Sequence, residues 1–437
     1  MAVQRKRTER EYYSLAAGVV ATMLISLIIP TRERCQYLRE SIRTALAIQD
    51  DQIEVLVSDN CSTDETQRVA ETISDARFRY LNTGQRLSMR QNFEFALQQS
   101  RGEYVFYIGD DDGFLPGQFA ALRRILEQHR PDIFSWYPLT YQWPGENSGS
   151  GRMRMEAGRL FGQPRFTDVS DACVSLQSAR LTRLTFPPAV YHGCASREWL
   201  TQIRTKDDCV FGGRIPDVYI TYTAILRSAR CLFSKHPFSI NGISSASTGN
   251  AHHAFRKGDP RASPARRFGD ELRNDPVQDA VKGYAPSIPV NLFSTYETAR
   301  RNCGVDPATT DYSAWYRYVL QGSQVSAGIV DPDVAGILKE YAAQTGTESQ
   351  LQAASGRSIL GSVAVRMERT WNKFRSKIRS VKISAEQNGL NNIYTATTAA
   401  DLFLGDLQLQ LLNGQRQSFN WSNAKSEGLS RLAQSIN

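Results

Sequence analysis

Between residues 23 and 127, short apolar runs alternate with amphipathic stretches. Residues 24–29 (LISLII), 53–58, 78–81 and 104–108 read as buried strands. Residues 36–48, 64–73 and 89–99 carry the wider apolar spacing of helices. Strand and helix in regular alternation predict a parallel sheet with helices on its faces. Three polar clusters fall at the carboxyl ends of these strands: Pro30-Thr31, Asp59-Asn60 and Asp110-Asp111-Asp112. In an open α/β sheet that edge is where ligands bind.

The triple acid is the sharpest of the three. Adjacent carboxylates at the end of a buried strand repel one another and lose hydration unless positive charge sits among them. A Mg²⁺ or Mn²⁺ ion carrying a diphosphate supplies such charge. A solvated acidic turn closed by Gly113 and Pro116 is the plainer alternative. In the second cluster, Ser62 or Thr63 reads as the cap of the following helix.

After residue 130 the pattern loosens. Residues 141–154 and 242–249 read as loops, and 219–227 as a helix that follows the break Gly212-Gly213. From about Pro264 the chain reads as mainly helical. The expected organisation is an extension over 1–22, an α/β domain over 23–255 with halves 23–127 and 128–255, and a helical region over 256–437.

Charge and length add bounds. The chain has 437 residues and a net charge of +8, which favours anionic partners. It carries neither an RNA-binding signature nor zinc-finger spacing, so nucleic acid is not among the expected partners. Seven cysteines without a C-x-x-C pair suit a reducing, cytoplasmic compartment. Residues 15–30 are uncharged and follow Arg5-Lys6-Arg7, as in a signal or short anchor, but the second half reads as a core strand. Met23 reads as an alternative start. Residues 358–382 mix apolar and basic positions and suit either an acidic membrane surface or a solvated helix packed on the domain.

Five segments match a known pattern in order: Ile28-Ile29-Pro30-Thr31-Arg32, Val57-Ser58-Asp59-Asn60-Cys61-Ser62-Thr63-Asp64, Arg90-Gln91-Asn92-Phe93, Gly102-Glu103-Tyr104, and Asp110-Asp111-Asp112 with Leu115-Pro116. In these the chain resembles family-2 glycosyltransferases of the GT-A fold, closely over about 23–126 and loosely to about 253. The resemblance implies a Rossmann-like α/β domain for a nucleotide-diphosphate sugar, followed by the helical region. It puts Pro30, Thr31, Arg32, Asp59, Asn60, Arg90, Asn92 and Asp110 on the nucleotide-sugar side. Asp111, Asp112 and His252 would hold a divalent metal, and Asp217 would be the catalytic base. Asn60 stands where the family has an acid, and Gly109 where it often has a further one. The implied reaction is inverting, metal-dependent sugar transfer to a glycan or lipid-linked acceptor in surface polysaccharide synthesis, with peripheral contact at the inner membrane face through 358–382.

Two other functions compete. A sugar nucleotidyltransferase usually carries a glycine-rich phosphate loop, and Pro30-Thr31-Arg32-Glu33-Arg34 has no glycine. A non-catalytic membrane scaffold would use the basic charge but leave the triple acid unexplained. For Asp217, a helix cap is the structural alternative. His252 and His253 read either as loop residues or as a metal ligand on a closing loop. His192 reads as acceptor-side or structural. His129 and His236 have no expected role. Trp136, Tyr137, Tyr141 and Trp143 are core residues or sugar-stacking platforms.

Overall fold

The structure, a computed structural model, describes residues 23–144, 151–181, 188–245, 263–326, 329–355 and 380–435. The extension 1–22, His252 and residues 358–379 therefore lie outside the described residues. No helix among the described residues is long and apolar enough to cross a membrane.

The first half follows the alternation of the sequence. Strands β1 (Ile25–Thr31), β2 (Ile53–Asp59), β3 (Phe78–Asn82) and β4 (Tyr104–Tyr107) alternate with helices α1 (Cys35–Leu46), α2 (Thr66–Glu71) and α3 (Met89–Gln99). β3, β2, β1 and β4 lie side by side and parallel, with Thr31 opposite Asp59 and Ile28 opposite Tyr107. The run at 24–29 is thus a core strand, with Ile25, Leu27, Ile28 and Ile29 fully buried. Strands so covered on both faces need continuous apolar sequence. α3 starts at a capping box: Ser88 accepts from Gln91 N, and the Gln91 side chain accepts from Ser88 N. Neither Ser62 nor Thr63 caps α2, whose N-cap is Glu65. Ser62 instead donates to Asp59 and accepts from Glu33 N at 2.8 Å, and Thr63 bonds to the Glu33 carboxylate. These two residues tie the β1 and β2 edge loops together.

Short strand β5 (Gly113–Phe114) and α4 (Phe119–His129) follow. Beyond them come β6 (Ile133–Trp136), β7 (Leu139–Gln142), β8 (Arg152–Glu156), β9 (Arg165–Thr167), β10 (Gly193–Ser196), β11 (Cys231–Ser234) and β12 (Ser239–Ile243). Helices α5 (Ser170–Gln177), α6 (Arg197–Gln202) and α7 (Pro216–Leu226) lie among these strands. β10, β6, β11 and β9 extend the first sheet to eight strands. β10 runs antiparallel to β4 and ends the parallel half.

A second sheet crosses the boundary expected at residue 255. Its order is β15-β8-β7-β12-β5, and β15 (Ser380–Ser384) comes from the far end of the chain. The helical region also contains the small hairpin β13 (Gln324–Ser326) and β14 (Ile329–Val330). Helix Ile393–Leu404 packs behind the second sheet, where Ile393, Ala396, Ala400 and Phe403 share a core with Leu115, Tyr141 and Met155. Helix Ile288–Asn302 packs instead with α7 around Tyr219, Phe293 and Trp315. The C-terminal region is helical as expected, but it buttresses both sheets. Residues 242–243, expected in a loop, close β12 as strand.

Asp401 joins helix Ile393–Leu404 to the turn before α4, accepting from Gly117 N at 2.8 Å and Gln118 Nε2 at 3.1 Å. Burial pushes its carboxyl from 3.8 up to about 6, against those two hydrogen bonds. A value raised in the folded state means the native protein binds the proton more tightly. Asp401 therefore contributes most stability at acid pH and less as pH rises from 3.8 towards about 6. Asp401→Asn is expected to flatten that part of the profile of urea midpoint against pH. An unchanged slope would remove Asp401 as its source.

Candidate active site

The carboxyl ends of β1 and β4 bring the triple acid against a cation absent from the expected set. Arg34, beside the start of α1, places Nε 3.1 Å from Asp110 and Nη2 2.6 Å from Asp111. Ser244, just past β12, donates to Asp111 Oδ2 at 2.6 Å and accepts from Arg34 at 2.9 Å. Thr31 donates to Asp110 Oδ2 at 2.7 Å. The positive charge that the acids require is thus partly internal. Both carboxyls are still pushed up: burial is the chief cause, mutual repulsion adds to it, and Arg34 offsets only part. Asp110 reaches about 7.

Asp112 is differently placed. Oδ1 accepts from Gly242 N at 2.8 Å, while Oδ2 accepts from Gly109 N and from the Tyr191 hydroxyl, both at 2.6 Å. His192 Nε2 lies 3.3 Å from the same oxygen without forming an aligned hydrogen bond. Burial raises this carboxyl, but His192, Tyr191 and Gly242 together hold it below the usual range. Both Asp112 oxygens are thus engaged by hydrogen bonds within the protein, whereas Asp110 and Asp111 meet Arg34. Two glycines permit this packing. A Cβ on Gly242 would meet the Asp111 carbonyl at 1.8 Å, and one on Gly109 would meet the Tyr191 hydroxyl at 2.6 Å. A side chain at residue 109 would have to displace the Tyr191 hydroxyl from Asp112.

Among the described residues no three His, Cys, Asp or Glu side chains converge as a complete metal cage. A Mg²⁺-type ion commonly takes one or two carboxylates and completes its shell with phosphate oxygens and water. Asp110 and Asp111 fit that smaller demand, because burial and repulsion leave them short of positive charge.

The β2 edge is closed on itself. Asp59 accepts from Tyr80 at 2.7 Å and from Ser62 N at 3.0 Å. Asn60 Oδ1 accepts from Leu87 N at 2.8 Å, and Nδ2 donates to Leu87 O at 2.8 Å. The Asn60 side chain therefore shapes the loop, and both ends of its amide are engaged by Leu87. Arg32 pairs with Glu271 of helix Ser263–Arg273. Pro30 is partly buried beside Thr31.

Two expected donor-side residues lie elsewhere. Arg90 is buried, with Nη2 2.5 Å from Asp275 and Nη1 donating to Gly212 O at 3.1 Å. Asn92 accepts from Ser58 Oγ at 2.7 Å and donates to Ser58 O at 3.2 Å. Both clamp α3 to its surroundings, and neither side chain reaches the acidic cluster.

Asp217 sits in the first turn of α7, two residues past the N-cap Ile215, so it is not the cap. Burial pushes its carboxyl up against hydrogen bonds from nearby backbone N–H groups and the pull of His192. Its charge also acts on Tyr191, which feels Asp112 and Asp111 as well. Tyr191 and His192 therefore link Asp217 electrostatically to the triple acid. Trp143 joins this region, donating Nε1–H to Asp111 O at 2.9 Å and meeting Tyr37 edge-on. Trp136 and Tyr141 are core residues. His236 is buried against Phe161 and bonded to Gln118.

The sequence reading gave no site role to Arg34, Ser244 or Tyr191, and left His192 as acceptor-side or structural. Arg34 had a signal: three buried acids demand a cation, and it follows the neighbouring strand by three residues. For Tyr191 and His192 nothing in the local pattern placed them against Asp112, since antiparallel strand β10 brings them from about 80 residues away.

Residues 26–175 match the model for "Glycosyl transferase family 2". Among curated relatives, a Campylobacter jejuni GalNAc(5)-diNAcBac-PP-undecaprenol beta-1,3-glucosyltransferase is 29% identical over 113 residues, 25% of this chain and 37% of that protein. Abequosyltransferase RfbV of Salmonella typhimurium is 32% identical over 118 residues, 26% of this chain and 35% of that protein. The chain thus spans about a third of the length of these relatives. Staphylococcus aureus TarS 1-349, solved with UDP-GlcNAc, aligns over 76% of this chain and 90% of its own, at 15% identity and a TM-score of 0.43. The match to that family's model falls on the strands and loops that assemble the Arg34–Asp110–Asp111 cluster.

Proposed function

We propose that the protein is an inverting, metal-dependent glycosyltransferase that moves a sugar from a nucleotide-diphosphate donor to a glycan or lipid-linked acceptor in polysaccharide synthesis. One observation carries the reading: Thr31, Arg34, Asp110, Asp111 and Ser244 converge at the carboxyl edge of a family 2 domain. The names of the two relatives, a glucosyltransferase and an abequosyltransferase, support the reaction class.

Asp110 and Asp111 would hold Mn²⁺ or Mg²⁺ together with the donor diphosphate. Bound there, the ion would supply Lewis-acid neutralisation of the leaving group. Arg34 adds fixed positive charge to the same edge, in a buried setting where such charge acts strongly. Ser244 and Thr31 orient the two carboxylates. Asp217 takes the proton of the acceptor hydroxyl as it attacks. Attack from the face opposite the leaving group inverts the anomeric carbon. Contact of residues 358–382 with an acidic membrane surface belongs to the same reading.

The test is Mn²⁺-dependent hydrolysis of a panel of nucleotide sugars by the full chain. At least one donor is expected to be hydrolysed, and Asp111→Asn to lower the rate by about 10²-fold or more, as when a preorganised charge is removed from a leaving group. If no donor is bound or hydrolysed, the reading fails. Nucleoside triphosphate cleavage with a sugar phosphate would point to a nucleotidyltransferase instead.

A further inference from the structure

The second sheet carries a groove that sugar transfer as described above does not use. Its volume is about 480 Å³, and Arg152, Arg154, Arg159, Lys382, Glu156 and Ile243 line it. β8 alternates: Met153 and Met155 enter the core, while Arg152, Arg154 and Glu156 face outward. β15 pairs antiparallel with β8 and sets Lys382 directly opposite Arg154. Like charges facing each other across a sheet are destabilising.

The single carboxylate of the groove does not balance the cations. Glu156 lies 3.4 Å from Arg159 and 3.9 Å from Arg154, so two guanidinium groups share it. Arg152 and Lys382 have no ion-pair partner among the described residues. Arg159 lies over the Tyr137 ring at 4.8 Å, which fixes its guanidinium. Four cations against one acid leave an excess of three positive charges. Guanidinium forks match phosphate oxygens two at a time, and a diphosphate supplies charge of the required size.

The position of the groove is as specific as its charge. Ile243 closes β12, whose Gly242 N holds Asp112 and whose next residue, Ser244, holds Asp111. The groove and the acidic cluster therefore share one strand end. We infer that this groove binds the diphosphate group of the acceptor, with the acceptor's reactive hydroxyl directed to the site beyond β12. The word acceptor rests on the sugar-transfer reading; anion binding does not.

The probe is inorganic pyrophosphate, titrated into the full chain without divalent metal. Arg152→Gln/Lys382→Gln is expected to weaken binding at least tenfold, while Asp111→Asn is not. Both altered side chains of the first variant are exposed, so its melting temperature and nucleotide-sugar hydrolysis are expected to match the wild type. Those assays separate failure of the groove from failure of the enzyme reading. Equal pyrophosphate affinity in wild type and double variant overturns the inference, as does its loss in Asp111→Asn alone. Neutral phosphatidylcholine vesicles carrying a polyprenyl diphosphate resolve the source. Capture of the wild type but not the double variant assigns a lipid-linked acceptor, and pyrophosphate binding without capture assigns a soluble phosphorylated saccharide. An oligonucleotide that displaces pyrophosphate and binds more tightly would overturn it in favour of nucleic acid.

Discussion

Asp217→Asn is expected to leave donor binding intact and to slow sugar transfer by about 10²–10⁴-fold, the usual cost of losing a general base. The acceptor hydroxyl is a weak acid, and a neutral amide cannot take its proton. The location supports the role. Asp217 is in the first turn of α7, where the helix dipole favours its anion, yet burial pushes its carboxyl up. A base with a raised value is competent only after it loses its proton, so transfer should climb with pH through that ionisation. In the Asn variant the acid limb of kcat/KM should vanish while the thermal shift caused by the donor persists. Unchanged transfer would reduce Asp217 to a favourable charge at a helix start. A variant that also loses donor binding would point to a collapsed site.

The parts of this site legible in the sequence are those set by local period. β1, β2 and β4 are buried on both faces, so their runs are continuous and their ends sharp. The polar residues that follow must lie at one sheet edge once the strands are parallel. What was not legible depends on closure in space. Arg34 stands two residues past the quoted Pro30-Thr31-Arg32, and only the turn into α1 brings it onto Asp110 and Asp111. His192 takes a left-handed conformation, φ 49°, which places it beside Asp112 while Gly193 starts β10. No local period encodes that approach. β15 hid inside a basic stretch because its partner, β8, lies more than 200 residues earlier. Composition suggested a surface helix there, whereas the alternation of Val381, Lys382 and Ile383 is that of an edge strand.

Arg90 shows the same limit with the largest consequence for stability. A charged residue in the first turn of an amphipathic helix reads as exposed and free to meet a phosphate. Here it is 2% exposed and binds Asp275, Val277 O and Gly212 O. It thereby joins α3 to the segment before helix Ile288–Asn302 and to the glycine pair that leads into α7. Ser88, the N-cap of α3, donates to the same Asp275 carboxylate. Arg90→Ala is expected to lower unfolding free energy by about 3–5 kcal/mol, because it leaves a buried carboxylate without its cation. Chemical denaturation read by fluorescence and circular dichroism would measure this. Arg90→Ala/Asp275→Ala removes the stranded charge as well, so it should cost clearly less than the two single changes added together. Additive losses would mean that the pair is not coupled. Because Gly212 precedes Asp217 by five residues, the single variant should also lose transfer more steeply than nucleotide binding. That would mark Arg90 as the residue that positions the base helix rather than one that meets the donor.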